Sequence, residues 1–142
     1  MKKLIITLAI LSSVLRTFAE DANIYYTGKQ NRFRVGNVCY NNNVVMWRSV
    51  PKQFEGARIS LLPGEPSDRE IYEFKVKKSG FVYILVHESQ KEVLDEWTEI
   101  YTGEYGIDDG FINTYIILKK EFDIGTYKLP YTKYLKTRVI IL

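Results

Sequence analysis

Residues 79–89 (SGFVYILVHES) hold an unbroken apolar run, Phe81 to Val86, launched by Ser79-Gly80 and stopped at His87, the single histidine of the chain. A run this short, rich in β-branched and aromatic residues, predicts a central strand covered on both faces. Upstream, residues 69–77 (REIYEFKVK) alternate: Tyr72, Phe74 and Val76 point one way and Glu73, Lys75 and Lys77 the other. That period of two predicts a half-buried strand. The two strands are expected to pair as a hairpin at the middle of a β domain.

The same reading extends along the chain. Ile24-Tyr25-Tyr26 is a short edge strand. Residues 33–35 and 38–40 flank Gly36-Asn37, residues suited to the positive φ of a two-residue turn, and are expected to form a hairpin. Asn41-Asn42-Asn43 is a turn, residues 44–49 a strand ended by Val50-Pro51, and 52–56 at most one helical turn. Residues 57–62 (ARISLL) run into Pro63-Gly64-Glu65-Pro66, a strong loop signal. After His87 a polar segment crosses over to residues 97–102 (WTEIYT). Residues 103–110 read as a loop, 111–119 (FINTYIILK) as a long strand, 125–129 as a short one and 137–142 as the last.

Nine or ten strands with turn signals at intervals of roughly 8–12 residues predict an all-β fold, an antiparallel, jelly-roll-like β-sandwich. No helix-length periodic segment interrupts them, which argues against parallel βαβ units. The predicted core is Val45, Trp47, Ile59, Tyr72, Phe74, Val82, Ile84, Val86, Ile116, Leu118 and Ile140.

Composition changes this picture at one end. Residues 1–19 join a Lys2-Lys3 head to an apolar stretch from Leu4 to Leu15, with Thr17 and Ala19 at the −3 and −1 positions of a cleavage site. This predicts a secretory signal peptide over 1–19, a single domain over 20–142, and a secreted or periplasmic protein. Twelve residues interrupted by serines fall short of the roughly 20 that span a bilayer, so no membrane span is expected after cleavage. Three of the 20 basic residues and none of the 17 acids lie in 1–19, so the remainder is balanced despite the net charge of +3. With no basic cluster interleaved with aromatics, nucleic acid is not an expected partner. Cys39 is the single cysteine, so there is no internal disulfide, and a buried, inert thiol is expected.

The inventory of reactive groups points away from catalysis. One histidine leaves His87 as the only candidate base of a nucleophilic triad, and no strained nucleophile turn accompanies it; a strand-capping role is expected instead. One His and one distant Cys do not make a zinc site. Asp108-Asp109-Gly110 and Asp123 offer calcium-type oxygens but read first as turn residues. Glu92, Asp95, Glu96 and Glu99 are expected to form a solvated face, with no apolar surround to mark a glycosidic acid. No catalytic residue, metal or cofactor is assigned.

Several pieces in order carry a resemblance: Gly-x-x-x-Tyr at 36–40, Val50-Pro51, Gly-Ala-x-x-Ile-like 56–59, Val-Tyr-Ile-Leu-Val-His at 82–87, Trp97-Thr98 to Thr102-Gly103, Lys-Glu-Phe-x-x-Gly-Thr-Tyr-x-Leu at 120–129, and the apolar strand 138–142. The sequence resembles the β-sandwich accessory modules of secreted bacterial polysaccharide-degrading enzymes. It departs from them after Ile59, where a Pro/Gly loop replaces an acidic polar cluster, and no catalytic domain accompanies it. The resemblance implies a non-catalytic module that binds carbohydrate. Trp97, Tyr101 and Tyr105 are the ligand-binding candidates, with Tyr131 and Tyr134 beside the last turn, because rings held near loops stack on sugar faces. Packing in the core is the competing role for Trp47 and Trp97. A protein partner, as for an enzyme inhibitor or an envelope assembly component, is the alternative to a glycan.

Overall fold

The computed structural model describes residues 20–39, 45–61, 73–106, 110–129 and 137–142, the side chains of 91–93 aside. Ten strands are described: β1 (Asn23–Tyr25), β2 (Gln30–Arg32), β3 (Met46–Trp47), β4 (Arg58–Ser60), β5 (Glu73–Lys78), β6 (Gly80–His87), β7 (Thr98–Gly106), β8 (Ile112–Phe122), β9 (Gly125–Lys128) and β10 (Arg138–Ile141). Two 3-10 segments, Lys52–Phe54 and Glu88–Leu94, are the helical turns among the described residues. The strands form an antiparallel three-stranded sheet, β1-β5-β9, and an antiparallel seven-stranded sheet, β2-β4-β10-β6-β8-β7-β3. The fold is the all-β sandwich that the strand pattern predicts. The predicted signal peptide over 1–19, Tyr72, the 63–66 loop, Asp108, Asp109, Tyr131 and Tyr134 lie outside the described residues.

β6 occupies the middle of the large sheet, as its apolar run predicts, and both of its faces are covered. Val82, Ile84 and Val86 join Phe74 and Val76 of β5, Ile116 and Leu118 of β8, and Val139 and Ile141 of β10 in a core between the sheets. Leu85 faces the other way, into a second core with Phe33, Trp47, Ile59, Tyr115, Ile117 and Ile140. Every predicted core residue within the described regions is buried. The second core exists because the large sheet wraps around it. After edge strand β2 the chain runs to the opposite edge, where Val38 bridges Met46, and Gly36 N–H and the Asn37 carbonyl hydrogen-bond to Trp47.

That wrapping corrects the expected hairpin of 33–35 with 38–40. The Gly36 turn is present, with φ of 89°, but Phe33 N–H donates to the Ala57 carbonyl and the 36–38 backbone pairs with β3. The ladder bonds are therefore spent on neighbouring segments, and the strand forms earlier, over Gln30–Arg32.

The β5–β6 hairpin is corrected too. The strands are consecutive, but one residue, Ser79, separates them and they lie in different sheets. Two residues are the usual minimum for a hairpin turn, so the chain instead turns a corner from one layer to the other. The N-terminal segment locks that corner: Ile24 pairs with Val76, Asp21 bridges Phe81, and Phe81 N–H donates to the Glu20 carbonyl. A Cβ at Gly80 would stand 2.2 Å from the Glu20 oxygen, so only glycine lets the two backbones approach this closely.

Candidate functional site

The sandwich is open at one margin, where β9 of the small sheet faces the Glu88–Leu94 segment and β8 of the large one. A cavity of about 510 Å³ lies there. Its apolar wall is Phe74, Leu94, Trp97, Phe122 and Tyr127. Each arrives by a local rule. Phe74 and Tyr127 are opposite one another across the β5–β9 ladder and share its inner face, their rings stacked at 5.7 Å and 28°. Phe122, the last residue of β8, meets both edge-on, at 5.5 Å from Phe74 and 4.6 Å from Tyr127. Trp97 follows the 3-10 segment, its N–H bonded to the Leu94 carbonyl, and its indole tilts against Phe122 at 5.5 Å.

Polar groups ring this aromatic floor. Lys120 donates to Glu96 at 2.9 Å while its ammonium stands 5.5 Å from the Phe122 ring centre and 6.0 Å from that of Trp97. The hydrogen bond from Lys120, and its charge, hold the Glu96 carboxyl below the usual carboxylate range. Glu96 is thus an acceptor at neutral pH. The Tyr127 hydroxyl donates to the Asp123 carbonyl at 2.9 Å, which fixes the ring and leaves its oxygen free to accept. Asp95 and Lys128 complete the rim. A cavity of this size with an aromatic wall and few polar groups has room for one small ligand that pairs an apolar face with polar edges.

The three predicted ligand-binding residues do not come together. Trp97 lines the cavity. Tyr101 and Tyr105 lie half-buried on the opposite side of the large sheet, 6.1 and 6.3 Å from Tyr115 in the second core. Simple alternation would put positions 97, 101 and 105 on one face. A β-bulge between Glu99 and Tyr101 breaks the phase. Glu99 pairs with Leu118 of the first core, whereas Tyr101 pairs with Ile117 of the second, with Ile100 as the extra residue. The expected 103–110 loop is also shorter at its start, because β7 continues through Gly106 and carries Tyr105 within a strand. Gly103 is what lets Tyr115 lie flat there: a Cβ would sit 2.3 Å from the Tyr115 ring. Tyr105 also packs 5.9 Å from Trp47, which is itself buried.

His87 takes the capping role. Its Nδ1 accepts from Ser89 N–H at 3.1 Å and lies 2.7 Å from Ser89 Oγ, at the start of the 3-10 segment that ends at the cavity. Asp123 is exposed. Among the described residues no group of three His, Cys, Asp or Glu side chains comes together, and no helix is long and apolar enough to cross a membrane. The cavity residues that the sequence did not single out, Phe122, Tyr127 and Lys120, lie within the 120–129 pattern but on two strands, β8 and β9. The meaning of that pattern depended on which sheet each strand joins. No family model, curated protein or solved structure matches the chain.

Proposed function

We propose that this is an exported, non-catalytic carbohydrate-binding protein whose ligand enters the Trp97 cavity. The observation that supports this reading is the combination of an aromatic floor with charged acceptors and donors at its rim, the chemistry that a sugar ring with one apolar face and a belt of hydroxyls requires. Export rests on the basic head, apolar stretch and Thr17/Ala19 pair of residues 1–19. Binding without turnover rests on the sequence, in which no carboxyl is marked by the apolar surround that keeps a glycosidic acid protonated. Screening a glycan array and then titrating the hits by calorimetry tests the proposal. Binding that is weakened in Trp97→Ala and leaves the sugar chain uncut agrees with it, and release of reducing ends refutes it.

One observation favours a protein partner instead. Val35, Phe111 and Ile112 are 64%, 65% and 52% exposed, and the backbone row Val38–Met46–Gly106–Ile112 draws them toward one end of the large sheet. Capture of an envelope protein that Phe111→Ser abolishes, with no glycan bound, would establish that reading.

A further inference from the structure

The outer face of the small sheet carries more lysine than acid among its described residues. Alternation turns Phe74 and Val76 inward, so Glu73, Lys75 and Lys77 of β5 point to solvent, with Tyr25 of β1 on one side and Lys128 of β9 on the other. Tyr25 pairs with Lys75 and Glu73 with Lys128, which sets Lys75 and Lys128 on a diagonal, about 7–8 Å apart at the backbone. None of Lys75, Lys77 and Lys128 forms an ion pair with a described residue, whereas neighbouring Lys78 is neutralised by Glu20. Lys77 stands 4.9 Å over the ring of Tyr25, which is 50% exposed. Three lysines against one glutamate is a concentration of positive charge in a chain whose residues 20–142 are otherwise balanced.

Lys128 belongs to both surfaces: it is on this face and on the rim of the Trp97 cavity. The basic strip therefore begins where the cavity ends. We propose that the ligand is an acidic polysaccharide, with one sugar ring on the aromatic floor and the carboxylates of the following residues on Lys128, Lys75 and Lys77. Charge complementarity selects this occupant: like charges so close on one sheet face repel, and a line of anions relieves them. Lysine suits it, as a point charge on a flexible stem that accepts anions at varied angles. Three lysines are few for a nucleic acid duplex, where non-specific affinity grows with each phosphate neutralised. This inference rests on the glycan reading above and adds the class of glycan.

Affinity electrophoresis and calorimetry with polygalacturonate, pullulan as the neutral polymer and duplex DNA test it, using wild type and Lys75→Glu/Lys77→Glu. Polygalacturonate is expected to bind wild type at least about tenfold tighter than pullulan, to weaken as salt rises, and to lose about tenfold or more in the double lysine variant. These lysines are exposed, so the variant's unfolding midpoint should stay at the wild-type value. The inference is overturned if the double variant binds polygalacturonate as wild type does. Preference for pullulan overturns it and leaves the glycan reading standing; no binding to either polymer removes both. Equal binding of DNA, with the same loss in the lysine variant, also overturns it.

Discussion

The two tryptophans of this chain sit in opposite surroundings, one buried in the second core and one lining the cavity. Trp47 is packed by Phe33 at 4.9 Å and Tyr115 at 5.4 Å, with the Arg138 guanidinium 5.2 Å over its ring. Arg138, itself buried, donates to the Cys39 carbonyl, so ring and cation together close the second core. Trp47→Ala should cost about 3–5 kcal/mol in urea unfolding, and an effect near the surface range of about 0.5 kcal/mol would contradict this packing. Trp97 is partly buried, tilted against Phe122 and lining the cavity, so on the proposed reading its removal should cost binding first. Cys39, fully buried, has its thiol pushed up to about 12 by burial, against a smaller opposing pull from Arg138. It should resist a thiol reagent in the native state and react at once in denaturant; equal rates would place it at the surface. Burial likewise raises the Tyr83 and Tyr115 hydroxyls, with Asp21 adding to the effect on Tyr83. All three groups are neutral when folded and ionise more readily when unfolded. Their contribution is therefore complete below pH 9.0 for the thiol and 10.0 for the phenols, and is lost as pH rises from those values toward the raised ones of the folded state. The urea midpoint should fall steadily above about pH 9, and a flat profile would contradict the assignment.

Among the elements, β6 carries the most structure. It pairs with β8 along its whole length and with β10 on its other side, and it feeds both cores. Ile84→Ala should cost about 2–5 kcal/mol. At the preceding corner, Gly80→Ala forces a methyl against the Glu20 carbonyl and should cost about 1–3 kcal/mol, read as a lower thermal midpoint; an unchanged midpoint would mean that the N-terminal segment does not lock the corner. These two cases also mark what could be read from sequence. Strand identity was legible because alternation and apolar runs report burial directly: Phe74 and Val76, or Val82, Ile84 and Val86, sit where their spacing places them. Sheet membership was not, because one residue at Ser79 and one bulge at Ile100 decide which layer and which face the chain enters. Neither leaves a hydrophobic signature. The candidate site suffered for that reason. Trp97 was visible as an aromatic at a strand start, but its separation from Tyr101 and Tyr105 follows from the bulge, and its real neighbours come from β8 and β9.

At the scale of the whole molecule, a large sheet wrapped around its own core leaves one margin open against the small sheet, and the open margin is where rings and charges meet. The same arrangement puts Trp97 and Tyr105 on opposite sides of the large sheet, which makes the functional account testable with one matched pair of variants. Calorimetric titration of wild type, Trp97→Ala and Tyr105→Ala with the soluble oligosaccharide that the wild type binds best is the most direct measurement. Trp97→Ala is expected to weaken binding by about 1–2 kcal/mol or more, the worth of an aromatic contact with its buried area, while Tyr105→Ala keeps the wild-type Kd and loses stability instead. Wild-type affinity in a folded Trp97→Ala protein, with binding lost in Tyr105→Ala, would contradict that expectation.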